Sequence, residues 1–451
     1  MKQKVSFASV ISVRGFKFLW INQVLVQLAI NTLNFSLLIW VYKLTGSNFA
    51  VAALLFAVYL PSLLFGLFAG VLVDLSDKKK IIYMMDLLFA IAFLAFIPIK
   101  GIYPLILLNA FIINCGSQFF VPAESSSIPQ LLGKEKLFLA NSLFTLTLYG
   151  SFMLGFAAAG PILNFWGINT VFYLGAALLF TAFLLAQNLP SIGVARKKIK
   201  QTLLPFILNE VKDTFRFIKG KLNVFTAIAL MAGVQGVIGV LGVIMPGYME
   251  SVLRIHATDA SYVLIIPLGL GMILGTFLVG KLFARKPRRM VVIPAIIASG
   301  VLLFAVGIAP TVTMFLNNTE LPEKIIHLRY FFNAPSLSSS FAIGAFLSGV
   351  AAVAIIIPSQ TILQEATHSK IRGKIFAVLV VAMNSFALVP VLLAGGLADI
   401  FGVTSIFIGL GILVFLIGIL ALRPSMVFGE NHLPFRIREF LGLGHWTPGK
   451  K

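Results

Sequence analysis

Twelve stretches of this 451-residue chain carry at most one charged residue over roughly 20 positions each. They are 18–42, 49–73, 81–99, 102–122, 137–163, 168–189, 223–248, 260–280, 290–309, 341–358, 375–398 and 403–422. A run of that length, wound as a helix, crosses the hydrocarbon core of a bilayer. Most of the runs show no polar face, which fits helices surrounded by lipid and by one another. Strands of a membrane barrel would be shorter and would alternate in polarity. Composition agrees: 11% of the residues are charged, against about a quarter in soluble domains. The pattern predicts an all-α integral membrane protein of twelve transmembrane helices.

The net charge of +20 invites a nucleic-acid reading, but its placement argues for topology. With the N-terminus inside, thirty of the 35 Lys and Arg fall on inner segments. That bias places both termini in the cytoplasm of a plasma (cell inner) membrane protein. The same residues attract anionic lipid. The expected partners are therefore the bilayer and a small-molecule substrate, with no nucleic acid, and the protein is expected to be a monomer. Cys115, the one cysteine, lies within a run. An internal disulfide and a cysteine cluster for zinc are both excluded. All five His lie outside the runs, and no nucleotide-binding loop or serine elbow is present. An enzyme is not expected, nor is any cofactor or metal.

Six runs precede the basic segment 191–222 and six follow it. This divides the chain into a six-helix bundle at 1–190, a linker at 191–222, a second bundle at 223–422 and a basic tail at 423–451. Within the linker, 203–217 alternates apolar and charged residues as a helix lying on the membrane surface would. The halves echo each other. FWGINTVF at 165–172 matches IFGVTSIF at 400–407, and Gly160 falls on Gly395 at the same offset of 235. Pro122 and Pro358 are read as ending the fourth and tenth spans. An even number of spans per half gives a parallel repeat.

The loop after the second span reads GLFAGVLVDLSDKKK, 66–80. Gly66 and Gly70 form a small-residue stripe suited to close helix approach. Asp74 follows at the span's end, and then Lys78, Lys79 and Lys80. This resembles the signature loop of the major facilitator superfamily, with Leu75 and Asp77 where that family has a basic residue and a glycine. The repeat of the loop, 275–289, keeps Gly275, Gly280 and five basic residues but lacks the acid. YKLTGS (42–47), VPAESSSIPQLLGKEKLFLANSL (121–143) and PSQTILQEATHSKIRGK (358–374) are similar to the macrolide-efflux type of exporter in that superfamily. The resemblance implies two six-helix bundles around a central pathway lined by the first, fourth, seventh and tenth helices. It also implies a cytoplasmic latch at Gly70, Asp74 and Lys78–Lys80, with Asp74 facing the start of the eleventh helix near Lys374. Gly155, Gly160 and Pro161 resemble the family's Gly-Pro motif, although Phe156 and Asn164-Phe165 replace its other glycines. A packing and kinking role suits them.

The first span carries Gln23, Gln27, Asn31 and Asn34 within an arc of about 80°. Such a face would line a substrate pathway, where carboxamides orient solutes without charge. The alternative is hydrogen-bonded glue between helices. Asn109 and Gln235 are further pathway candidates, followed by Asn114, Gln118 and Asn384. Asp86 is the one charged residue inside the twelve runs. A carboxylate at mid-membrane costs about 2.5–3.5 kcal/mol, which makes Asp86 the candidate for coupling to a proton. Near the inner edge it would instead pair with a loop lysine or the latch. Asp399 is the other carboxylate to consider for coupling. The expected function is export of small amphipathic or hydrophobic compounds by alternating access. The alternatives are an uncoupled facilitator or importer of a neutral solute and a non-transporting receptor or scaffold.

Overall fold

Lipid offers no partner to a backbone N–H or C=O, so each span must close its own hydrogen bonds. In the computed structural model of the chain, all twelve spans do so as helices. The structure describes residues 6–191, 216, 218, 220–282, 289–318, 334–367 and 369–422, and no strand occurs among them. A short helix, Phe7–Ile11, precedes α1 (Arg14–Thr45), α2 (Asn48–Asp74), α3 (Lys78–Ile99), α4 (Tyr103–Leu131), α5 (Leu137–Trp166) and α6 (Ile168–Ala186). The second half comprises α7 (Leu222–Ser251), α8 (Ile266–Leu282), α9 (Arg289–Asn318), α10 (Ala334–Ala366), α11 (Ser369–Phe401) and α12 (Val403–Leu422). The expected surface helix at 203–217 lies, Arg216 aside, outside the described residues, as does the tail.

The chain forms two compact units. One is Met1–Gly46 with Ala53–Val211, and the other is Ser47–Ala52 with Lys212–Lys451. In the first, α1 packs on α5, α6 and α4, and α3 packs on α6 and α4. In the second, α7 packs on α11, α12 and α10, and α9 packs on α12 and α10. These five pairings are the same with every helix advanced by six places, as a parallel repeat requires, while α8 also packs closely on α10 in the second unit. Buried aromatics fill the first unit's core, with Phe96 of α3 stacked on Phe172 of α6 at 5.2 Å.

The repeated octapeptide has a physical cause. Gly167 (φ 78°) turns the chain from α5 into α6, and Gly402 (φ 82°) turns it from α11 into α12. Gly167 combines that φ with ψ 174°, a region essentially closed to residues with a Cβ. Each glycine also closes the preceding helix, its N–H donating to Leu163 O (3.2 Å) or Ala398 O (2.9 Å).

Two expectations about proline are corrected. Pro122 lies inside α4, which continues to Leu131, and Pro358 lies inside α10, which continues to Ala366. Serine and threonine hydroxyls donate to carbonyls around the break: Ser125 Oγ to Val121 O (2.9 Å), Ser126 Oγ to Pro122 O (2.7 Å), Ser359 Oγ to Ile355 O (2.7 Å) and Thr361 Oγ1 to Ile357 O (2.8 Å). Proline is tolerated within membrane helices because neighbouring helices and local adjustments accommodate the freed backbone groups.

Asp399, at the end of α11, caps the first turn of α2 within the second unit. It accepts from Ser47 Oγ (2.6 Å), Asn48 N (2.7 Å), Asn48 Nδ2 (2.9 Å) and Phe49 N (3.0 Å). A carboxylate at a helix N-terminus satisfies orphan N–H groups and meets the positive end of the dipole. Asp399 is thus engaged by α2, which argues against the coupling role considered for it.

Two outcomes follow for purified protein in detergent. Gly167→Ala and Gly402→Ala each cost about 1–3 kcal/mol of stability and lower the apparent melting temperature, whereas Gly101→Ala, at an exposed turn without positive φ, leaves it unchanged. Asp399→Ala costs about 1–2 kcal/mol, more than Ser47→Ala, read by the same melting measurement.

Candidate functional site

The amide face of α1 divides when its neighbours are traced. The side of α1 that meets α5 begins at Phe16, which packs on Phe144, and continues at Trp20, whose Nε1 donates to Thr147 Oγ1 at 2.8 Å. Gln23 belongs to this seam. It is buried, and its Nε2 donates to Phe144 O at 3.4 Å. The Gln23 amide thus joins two helices of one unit. Gln27, Asn31 and Asn34 are half-buried. Asn31 Nδ2 and Gln27 Oε1 lie 3.5 Å apart, a long contact that leaves both amides largely uncommitted. A Cβ at Gly155 would stand 2.8 Å from Asn31 Cβ, so the glycine lets α5 come up against α1 at that level. Gly160 is buried on α5 and Pro161 sits in its interior.

Other candidates separate in the same way. Asn109 is buried, and its Nδ2 donates to Ala92 O (2.7 Å), tying α4 to α3. Asn114 and Gln118 donate to carbonyls one turn back on their own helix, Ala110 O at 2.9 Å and Asn114 O at 3.3 Å. Gln235 is half-buried on α7, and Asn384 is half-buried on α11.

The loop between α2 and α3 takes a specific form. Asp77, in the place of the family's glycine, is the N-cap of α3, with Oδ1 accepting from Lys79 N at 3.1 Å. Lys78, Lys79 and Lys80 form the first turn. Lys78 is buried, Lys79 half-buried and Lys80 exposed, as is Asp74. Among the described residues no atom beyond its own turn of helix lies within 4 Å of where a Cβ of Gly70 would stand. The close helix approach expected of Gly66 and Gly70 is therefore not found at Gly70. The side chain of Lys374, expected opposite Asp74, lies outside the described residues.

The most concentrated chemistry is one step off the amide stripe. Asp86 on α3 is 0% exposed, so it does not sit at a wet inner edge, and its partner is not a loop lysine. Asn22 of α1, 0% exposed, donates through Nδ2 to Asp86 Oδ2 (2.7 Å) and to Ala182 O of α6 (3.0 Å). Those two bonds fix the amide's orientation and turn its oxygen away from donors. Glu124 of α4 is 4% exposed and lies within electrostatic reach of Asp86. Asn22 Oδ1, Asp86 Oδ1 and Glu124 Oε1 are buried without a hydrogen-bond partner. Sequence reasoning missed Glu124 because it closed the fourth span at Pro122. It missed Asn22 because that residue falls 100° around α1 from Gln23. The four-residue polar cluster ESSS, which begins two positions after the proline, was the available signal.

Comparison with known proteins agrees with this architecture. The family model described as Major Facilitator Superfamily matches residues 19–319. The MFS-type transporter YfiS of Bacillus subtilis is 22% identical over 84% of this chain and 86% of its own length. Macrolide efflux protein A of Streptococcus pyogenes is 22% identical over 67% of this chain and 75% of its own. The crystal structure of the nucleoside transporter NupG shares the fold, with a TM-score of 0.65 at 14% identity over 90% of this chain and 97% of that one. The chain belongs to the major facilitator superfamily and is a multi-pass membrane transporter.

Proposed function

We propose that the protein exports small amphipathic or hydrophobic compounds across the plasma membrane by alternating access, with both termini in the cytoplasm. The observation that carries this reading is the half-buried amide row Gln27, Asn31 and Asn34, set on a helix that has no charged residue from Phe18 to Tyr42. Amides in apolar walls hold varied neutral or weakly cationic solutes by a few hydrogen bonds while most contact remains apolar. Gln235 on α7 adds a fourth such group in the second unit. The likeness to macrolide efflux protein A supports export of amphipathic compounds. Gly155, Gly160 and Pro161 shape α5 against α1. Gly70, Asp74 and Lys78–Lys80 act as the cytoplasmic latch. Asp86 takes part in coupling.

Alternating access requires the pathway face to be wet in at least one state. In a Cys115→Ser background, single cysteines at 27, 31 and 34 react with a polar thiol reagent in membrane vesicles. Those at 23, 26 and 37 do not, because the residues there are buried inside the bundle. Protection of 27, 31 and 34 alike overturns the pathway. In cells loaded with a fluorescent amphipathic cation, the triple variant Gln27→Leu/Asn31→Leu/Asn34→Leu lowers efflux roughly tenfold, equivalent to about one hydrogen bond or ~1.4 kcal/mol. Flux that ignores every imposed gradient would identify a facilitator, and no flux under any gradient would identify a scaffold.

A further inference from the structure

We infer that the lipid-facing flank between α3 and α6 is a binding site for one phospholipid, with an acyl chain laid in the groove there and the phosphate held at Lys100 and Asn169. The groove encloses about 400 Å³, within the range of small-molecule sites. Its floor is Ala90 and Ala176, both buried, and its walls are Ile91, Leu94, Tyr173 and Phe180, all exposed. On each helix the lining positions follow the i, i+3, i+4, i+7 spacing that keeps one face in line. Small residues on the two facing sides leave the cleft. Behind them the ring of Phe93 occupies the space that a Cβ of Gly175 would need, so the floor is closed.

Hydrophobicity alone selects nothing here, because lipid tails are as apolar as the walls. Length and charge do. The groove face starts at Leu87, near the middle of α3, and reaches the exposed Pro98 one turn beyond Leu94. At 1.5 Å per residue that is about 16 Å, and one leaflet of a ~30 Å hydrocarbon core is about 15 Å deep. A single chain therefore fits from headgroup level to the midplane. At the headgroup end Asn169, one turn before Tyr173 on the same face of α6, accepts from Lys100 Nζ at 2.8 Å. That bond uses one ammonium proton and leaves Asn169 Nδ2 as a further donor. Lys100 is half-buried, and its carbonyl is taken by Trp40 Nε1 at 2.8 Å. The turns at this end of the unit, 43–46, 99–104 and 163–170, contain no Asp or Glu. A cation held in place beside an amide donor, with no carboxylate in those turns, is complementary to a phosphate diester. The exposed rings of Trp166 and Tyr173 flank Asn169, as amphipathic aromatics do at headgroup level. The site lies in the leaflet away from the Lys78–Lys80 turn, the outer one when the termini are cytoplasmic.

The site does not rest on export and is tested without it. Purified protein in detergent receives a trace of phosphatidylglycerol that carries a photoactivatable diazirine in one acyl chain, and the adducts are mapped by peptide mass spectrometry. Adducts are expected on 87–94 and 173–180, several-fold above those on Leu413, Leu416 and Leu420, the exposed leucines of α12. Excess unlabelled phosphatidylglycerol removes them, and diacylglycerol, which lacks the phosphate, does not. Lys100→Met lowers labelling roughly tenfold, as loss of one charge-assisted hydrogen bond would. Ala177→Trp fills the groove and abolishes labelling, while Leu416→Trp leaves it as in wild type. The melting temperature of each variant reports its folding. Even labelling of the groove and α12, or equal competition by diacylglycerol, overturns the site on wild-type protein alone. Groove labelling that a folded Lys100→Met variant leaves unchanged overturns the headgroup assignment.

Discussion

The structure depends on one constraint: in hydrocarbon, a polar group that finds no partner inside the protein finds none at all. Departures from a plain helix accordingly draw polar side chains or glycines to the same place. Where Pro122 interrupts α4, the following serines turn their hydroxyls back onto carbonyls of the same helix. Where α5 ends and α6 begins there is no loop, only Gly167 in a conformation that closes one helix and opens the next. Where α2 begins, Asp399, some 350 positions further along the chain, takes the exposed N–H groups. Turns this short keep irregular backbone to a minimum, and they force the sequence to carry a glycine or an acid at a fixed place.

The same constraint makes the two units alike in frame and unlike in chemistry. The five pairings of α1 and α3 recur for α7 and α9. Yet among the described residues the buried carboxylates, Asp86 and Glu124, are both in the first unit, while the buried polar side chains of the second are neutral. A carboxylate held in the membrane is costly, so its occurrence twice, side by side, in only one half of a repeat is not explained by folding. Packing requires the frame, and nothing in packing requires the carboxyl pair.

Hydropathy carried most of the fold because length and charge exclusion are strong signals, each summed over twenty residues. The octapeptide repeat was legible for a related reason: a backbone turn open only to glycine forces Gly167 and Gly402 into register. The carboxyl site was not legible, since it turned on single residues. Proline read as a helix end is sound in water, where a broken hydrogen bond is repaired by solvent. In lipid Pro122 left α4 intact for nine further residues, and Glu124 came inside with them. Counting polar residues along one face of α1 singled out Gln23, whose neighbour across the seam is Phe144. It passed over Asn22, whose neighbour is a carboxylate. Which side of a uniformly apolar helix meets which partner is set by tertiary packing, and no periodicity in α1 announces it.

Coupling between an ion and a solute needs an element whose position both of them bias. Helix α1 has the right layout for that role. Asn22 joins it to the carboxyl pair on α3 and α4, and Gln27 stands five residues on, about 7.5 Å along the same axis at 1.5 Å per residue. Asn31 follows one turn later, against the bare backbone of Gly155, where no Cβ intervenes between α1 and α5. A rigid helix transmits a small rotation along its whole length. If Asp86 takes part in coupling as proposed, a change in its charge would act on Asn22 and so on the helix that carries the amide row. A residue larger than glycine at 155 would push α1 and α5 apart beside the amide row.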